Sequence, residues 1–471
     1  MSTQVSRLRQ SLALAIGLCC LTLLAGWWTK ARCLDGGWTD GEEFAGWCYT
    51  DVYALYFADR IGEGAVPYLD APVEYPVLTG AQMWLTGLVA DTPAGYYHAT
   101  AWTGAALLLG ALLLLDRAGA ARERLLWFSL SPTLAVYAFM NWDALPVALL
   151  LAAVVLHRRD RDGLAGVAAG LGAAAKLFPA VLVPLIVAAR LAQGRRRAAL
   201  AHGLAAGGAW LAVNVPVLVA APDGWALFLQ LNRDRPADWD SLWFAVEQLR
   251  GAGLDVAALN RASATLFLVG ATAIAALGAR LSPPEDWWRL ALPLLCWFLL
   301  TNKVYSPQFS LWLLPLMALA LPRAAPFAAF AVADLMVFAV RFPFLGGQIG
   351  LAPAPGYGVF AFAVLVRAAV LLWVIAASLN AAAPDAGRRS AAGHASGKAA
   401  GSGDDVADPL PAGRFGRLGG RLQRLGRRRR GRGRGRGRGR DRGRGDLRLL
   451  PGRALAGLRR GGGLGLLARR L

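Results

Sequence analysis

The sequence predicts an all-α, polytopic membrane protein, and three observations carry that expectation. Of 471 residues 56% are hydrophobic, the mean hydropathy is +0.42, and long apolar runs recur from Ser11 to Leu379. These runs come close to the ~20 residues that a helix needs to cross ~30 Å of hydrocarbon. A water-soluble core has no need of so many. A chain in lipid satisfies its backbone polar groups internally, and runs this uniformly apolar lack the alternation of barrel strands, so helices are expected.

Roughly twelve spans are expected, at residues 11–29, 95–115, 124–140, 142–157, 163–175, 177–192, 198–220, 263–280, 287–301, 308–321, 325–340 and 357–379. Arg7, Arg9, Arg117, Arg122, Arg124, Arg158, Arg159, Arg190, Arg195–Arg197, Arg280, Arg289 and Arg323 then fall on one side, which the positive-inside rule makes cytoplasmic. Both termini are expected there. The long first connection, residues 30–94, lies on the opposite side, and its acidic residues outnumber Lys30, Arg32 and Arg60. This register requires that Tyr75–Ala90, broken by Pro76 and two glycines, lie at the interface without crossing. The first span is read as a retained helix, because Trp27, Trp28 and Lys30 stand where a signal peptide would carry small residues for cleavage.

The charge divides the chain into residues 1–382 and 383–471. The tail holds 24 Lys and Arg against 6 Asp and Glu, so it carries +18 of the net +20. Between Arg427 and Arg444 it mostly alternates Arg with Gly, a composition that buries too little apolar surface to order a chain, and disorder is expected. Such a tail could hold anionic lipid headgroups on the cytoplasmic face or bind nucleic acid as Arg-Gly segments do, but a solvated low-complexity tail with neither role is the reading expected. Nucleic acid is not expected as a partner.

No metal site is expected, since the five cysteines and four histidines show no ligand spacing. Cys19, Cys20 and Cys296 fall in spans as small apolar residues, while Cys33 and Cys48 share the first loop, where a disulfide is permitted but not dictated. Chemistry is therefore sought among carboxylates, cations and amides. Asp51 lies in Trp47-Cys48-Tyr49-Thr50-Asp51-Val52-Tyr53, followed by Arg60, Tyr68 and Glu74-Tyr75-Pro76. Carboxylates set among rings have raised proton affinity and suit general-base work, although the rings alone also fit an interfacial belt. Three further patches fall at expected outer ends: Asn141-Trp142-Asp143, Lys176-Leu177-Phe178-Pro179 and Asn302-Lys303-Val304-Tyr305-Ser306-Pro307-Gln308. Ionisable groups near the hydrocarbon usually face a polar cavity, and Lys176 and Lys303 beside a loop carboxylate would hold an anionic phosphate. Arg60 and Arg341 are weaker candidates for that role.

Together these motifs resemble the actinobacterial polyprenyl-phosphate-mannose-dependent mannosyltransferases, glycosyltransferase family 87 of the GT-C superfamily. The resemblance spans residues 10–380 and leaves the Arg/Gly tail unexplained. It implies a GT-C-like helical bundle that takes a hexose, usually mannose, from a polyprenyl-phosphate carrier and adds it to an envelope glycolipid or glycan outside the cytoplasm. No cofactor beyond the lipid-linked donor is implied. Asp51 matches the general base of that family, which predicts an inverting transfer with Lys176 and Lys303 on the departing phosphate. Glu74, Tyr75, Tyr53, Tyr68, Asn141, Asp143, Asn302, Tyr305 and Gln308 are expected to contact substrate. The alternative is a polytopic transporter, which would place charges at mid-membrane in repeated halves, and no internal repeat is visible.

Overall fold

The computed structural model of the protein describes residues 2–382, which belong to one compact unit. The disorder expected of residues 383–471 lies outside them. All named elements are helical, with one isolated bridge between Pro67 and Ala71. The chain runs through α1 (Ser2–Ala31), α2 (Glu42–Ala45), α3 (Asp51–Ala58), α4 (Val77–Gly87), α5 (Pro93–Arg117), α6 (Arg122–Ser129), α7 (Pro132–Tyr137), α8 (Ala144–Arg158) and α9 (Asp162–Ala175). It continues through α10 (Leu182–Ala192), α11 (Arg196–Ala220), α12 (Pro222–Asp234), α13 (Leu242–Arg250), α14 (Val256–Leu281), α15 (Ala291–Thr301), α16 (Leu313–Ala320), α17 (Ala324–Gln348) and α18 (Tyr357–Ala382).

Six of these, the apolar parts of α1, α5, α11, α14, α17 and α18, are long and apolar enough to cross a membrane. The remaining apolar helices are shorter, so about twelve full-length spans are not reproduced. Proline explains much of the shortening. The span expected over 124–140 is α6 and α7, because Pro132 has no N–H to continue a helix and holds Ser131 extended. The spans expected over 177–192, 287–301 and 308–321 open on tight 3-10 turns that carry Pro179, Pro284 and Pro307. Hydropathy also gave no sign of α12 and α13, two amphipathic helices between α11 and α14.

Two features fix the end of the bundle that carries the first loop. Glycines 166 and 170, one turn apart on α9, meet the backbone of α11: a Cβ at either would stand 2.2 Å from the carbonyl oxygen of His202 or Ala206. Such small-residue spacing lets helix backbones approach closely. α9 then stops at Ala175 because Lys176 turns extended. The second feature is α4, whose 11 residues rise only ~16 Å, short of a bilayer. It lies against α9, with the Thr79 hydroxyl donating to the Ala175 carbonyl at 2.7 Å.

Candidate active site

Asp51 is held in place by its own backbone. Its N–H donates to the Met140 carbonyl at 2.8 Å, and the neighbouring Thr50 hydroxyl donates to the Phe139 carbonyl at 2.8 Å while capping α3. The first turn of α3 is thereby docked on the segment after α7. The carboxylate accepts from the Tyr75 hydroxyl at 3.0 Å and from Gln308 Nε2 at 3.3 Å. Burial raises its pKa to about 6, and the charge of Glu74 pushes the same way. Hydrogen bonds from Tyr75 and Tyr49 and the ammonium of Lys176 pull partly back.

Lys176 completes the opposite wall. Its ammonium meets Asp143 Oδ1 at 2.5 Å and lies 5.3, 4.9 and 5.4 Å from the ring centres of Tyr75, Phe309 and Trp312, a cation in an aromatic cage. Asp143 is 1% exposed and also accepts from Trp312 Nε1 at 2.9 Å. Asn141 fixes this turn by accepting the Asp143 N–H at 3.0 Å and reaches the Tyr75 hydroxyl at 3.5 Å. Tyr75 thus touches the carboxylate, the amide and the cation, and Tyr68 supports it by donating to its carbonyl at 2.9 Å.

Asp51, Glu74, Tyr75, Lys176 and Gln308 face one cavity of about 340 Å³. Its far wall is α12, through Phe228, Leu231 and Asn232. The phenylalanine and leucine three residues apart were the readable signal for that helix.

The other expected residues fall elsewhere. Lys303 donates to the carbonyls of Arg233 at 3.0 Å and Arg235 at 2.6 Å, so it ties down the end of α12. With Asn302 it faces a second cavity of about 360 Å³, which shares Phe228 and Asn232 with the first. Burial and the nearby Arg235 lower the Lys303 pKa to about 8. The two lysines therefore do not line one cavity. Arg60 is exposed and pairs with Glu63 at 2.7 Å. Arg341 is buried and ion-paired with Asp240, and it borders only a cleft of about 20 Å³ shared with Asp51 and Gln308. Tyr305 lies inside the protein, its ring 3.7 Å from the Arg367 guanidinium and its hydroxyl 3.2 Å from Ser310. Tyr53 packs on Trp38 with ring centres 4.8 Å apart. Cys33 and Cys48 form a disulfide. Among the described residues no group of three or more His, Cys, Asp or Glu side chains could hold a metal ion.

Sequence reasoning missed the buried charge network behind Arg341, in which Arg367 approaches Asp240 at 3.7 Å and Asp334 at 3.5 Å. Asp334, Arg341 and Arg367 are single charges in apolar runs, and Asp240 is one of several charges in the unassigned stretch after residue 232.

Residues 74–307 match the model of glycosyltransferase family 87. Over that stretch, just under half of the 471 residues, the chain is similar to the glycosyltransferases of family 87. The matched stretch contains Glu74, Tyr75, Asn141, Asp143, Lys176 and Lys303, whereas Asp51 and Gln308 lie outside it. Among solved structures the apo oligosaccharyltransferase of Archaeoglobus fulgidus is similar at 12% identity and a TM-score of 0.37, over 79% of this chain and 57% of that one. The chain therefore spans little more than half of that structure. No curated protein matches it.

Proposed function

We propose that the protein is a membrane glycosyltransferase that moves a hexose, mannose first, from a polyprenyl-phosphate carrier to an envelope glycolipid or glycan, with inversion, on the extracytoplasmic face. The observation that carries this is the Asp51 carboxylate, bonded by Tyr75 and Gln308, in a cavity that also presents Lys176. Asp51 takes the proton of an acceptor hydroxyl as its oxygen bonds the anomeric carbon. The bond from that carbon to the phosphate oxygen breaks, and polyprenyl phosphate leaves with the electron pair. A carboxylate whose pKa is lifted to about 6 is a better base than an exposed one and is still ionised at neutral pH. The Lys176 ammonium faces the charge that grows on the leaving phosphate. Lys303, whose ammonium is taken by the Arg233 and Arg235 carbonyls beside the second cavity, has no part in this step.

The Cys33–Cys48 disulfide supports the outer location, because such bonds persist in oxidising compartments. The arginine-rich loops at the other end support cytoplasmic termini. The choice of mannose rests on the motif resemblance.

The test is transfer by purified protein in lipid nanodiscs, given polyprenyl-phosphate [14C]mannose and extracted envelope lipids. Label is expected in the acceptor fraction and not in the carrier. A donor left intact with mannose, glucose and arabinose carriers alike would remove the enzyme and leave a binding or transport protein.

A further inference from the structure

Two buried polar groups on the wall of the Asp51 cavity have no hydrogen-bond partner among the described residues: Oε2 of Glu43 and the indole Nε1 of Trp38. Glu43 is 5% exposed and belongs to none of the motifs that flagged the site. Buried polar atoms are usually satisfied, and although others such as Asp59 Oδ2 and Gln82 Oε1 are not, these two belong to side chains that line the Asp51 cavity.

Looseness of the loop does not supply it, because the segment is pinned throughout. Cys33 and Cys48 tie its ends covalently, Lys30 donates to the Trp47 carbonyl at 3.2 Å, and the Trp47 indole donates to the Ala339 carbonyl at 3.1 Å. At Gly41, whose φ is +79°, a Cβ would stand 2.7 Å from Ile349 and 2.8 Å from Leu351, so the turn is pressed against the chain that follows α17.

The surroundings give the ligand its chemistry. Tyr49 stacks with Trp38 at 5.4 Å and with Phe44 at 6.0 Å, all three line the cavity, and the Tyr49 hydroxyl bonds Asp51. An indole N–H only donates and a carboxylate oxygen only accepts, so together they match a pair of hydroxyls, each of which does both. Flat rings beside them take the C–H face of a pyranose. The walls also carry Glu74 and Asp51, so three carboxylates repel an anionic ligand from this part of the cavity.

We propose that Trp38, Glu43, Phe44 and Tyr49 form the acceptor subsite, which binds an uncharged pyranose through vicinal hydroxyls and presents a third hydroxyl to Asp51. The subsite deepens the proposed function and rests on it for the word acceptor. It leaves the Lys176 side of the cavity to the donor phosphate.

The test measures saccharide binding apart from turnover. Ligand-observed NMR with two uncharged disaccharides, α-mannobiose and chitobiose, would be run on wild type, Glu43→Gln, Trp38→Phe and Asn260→Ala, the last a wall residue of the second cavity. Unfolding midpoints would verify that each variant is folded. At least one disaccharide is expected to bind wild type and Asn260→Ala equally, and both loop variants about tenfold more weakly, the effect of one charge-assisted or buried hydrogen bond. Undiminished binding in both folded loop variants, or no binding of either disaccharide, overturns the subsite. Binding with the expected pattern but no transfer from any carrier would remove the proposed function and keep the subsite. Transfer with undiminished binding would do the reverse.

Discussion

α8 connects two polar clusters that look alike in composition and differ in use. At its start, Asp143 faces Lys176 beside the Asp51 cavity. About 22 Å away by its 15-residue length, Arg190 bonds Asp162 at 2.7 Å, Asp160 at 2.9 Å and the His157 carbonyl at 3.0 Å, and Arg195 bonds Asp160 at 2.6 Å. In that far cluster two arginines and two aspartates satisfy each other. At the near end Asp51 with its raised pKa, an exposed Glu74 and two side chains with unpartnered buried atoms line open volume. The far charges close on one another, whereas the near end pairs Lys176 with Asp143 and leaves the Asp51 and Glu74 carboxylates on the cavity wall.

The largest expected effect on folding lies at the far end. Arg190→Ala strands Asp162 without its closest cation and should cost about 3–5 kcal/mol, seen as a lower unfolding midpoint in detergent, with near-normal turnover per folded molecule. A large drop in turnover at unchanged stability would erase the contrast between the ends. Next, Cys33→Ser opens a loop of separation 15 and should cost about 3 kcal/mol. It should also weaken acceptor use more than donor use in steady-state assays, because the loop carries Trp38 and Glu43.

Smaller effects sharpen the near end. Tyr75→Phe removes a hydrogen bond that favours the Asp51 carboxylate, so the Asp51 pKa rises from about 6. With ionised Asp51 as the proposed base, the acid limb of kcat/KM should move to higher pH, with about a tenfold loss per pKa unit on the acid side and recovery near pH 8. A limb that stays in place would separate Tyr75 from the base. The smallest effect is expected of Arg60→Ala, where an exposed pair is worth under about 1 kcal/mol and no cavity is lined; transfer rates should be unchanged.

Much of this was legible in the sequence because it depends on local chemistry. Apolar runs mark helices, and a lysine interrupting Gly/Ala-rich α9 marks the place where the chain leaves a span. The motifs bring Asp51, Tyr75, Lys176 and Gln308 to one cavity although Asp51 and Gln308 stand 257 positions apart. What was not legible depends on pairing across the fold. Lys303 reads like Lys176 in its motif, yet its ammonium is taken by carbonyls at the end of α12, a helix that hydropathy does not reveal. Arg341 reads as a lone cation, and only the fold supplies Asp240. Glu43 is one of many loop carboxylates; packing buries it and Asp59 alike with an unpartnered oxygen, and of the two Glu43 lines the cavity.

The central claim is that the Asp51 carboxylate accepts the proton of the attacking hydroxyl. Its most direct test is the single-turnover rate of Asp51→Asn with polyprenyl-phosphate mannose in nanodiscs, alongside donor binding to the same preparation. The account predicts a rate lower by about 10²–10⁴-fold with donor affinity retained. A variant that transfers sugar at the wild-type rate would contradict it.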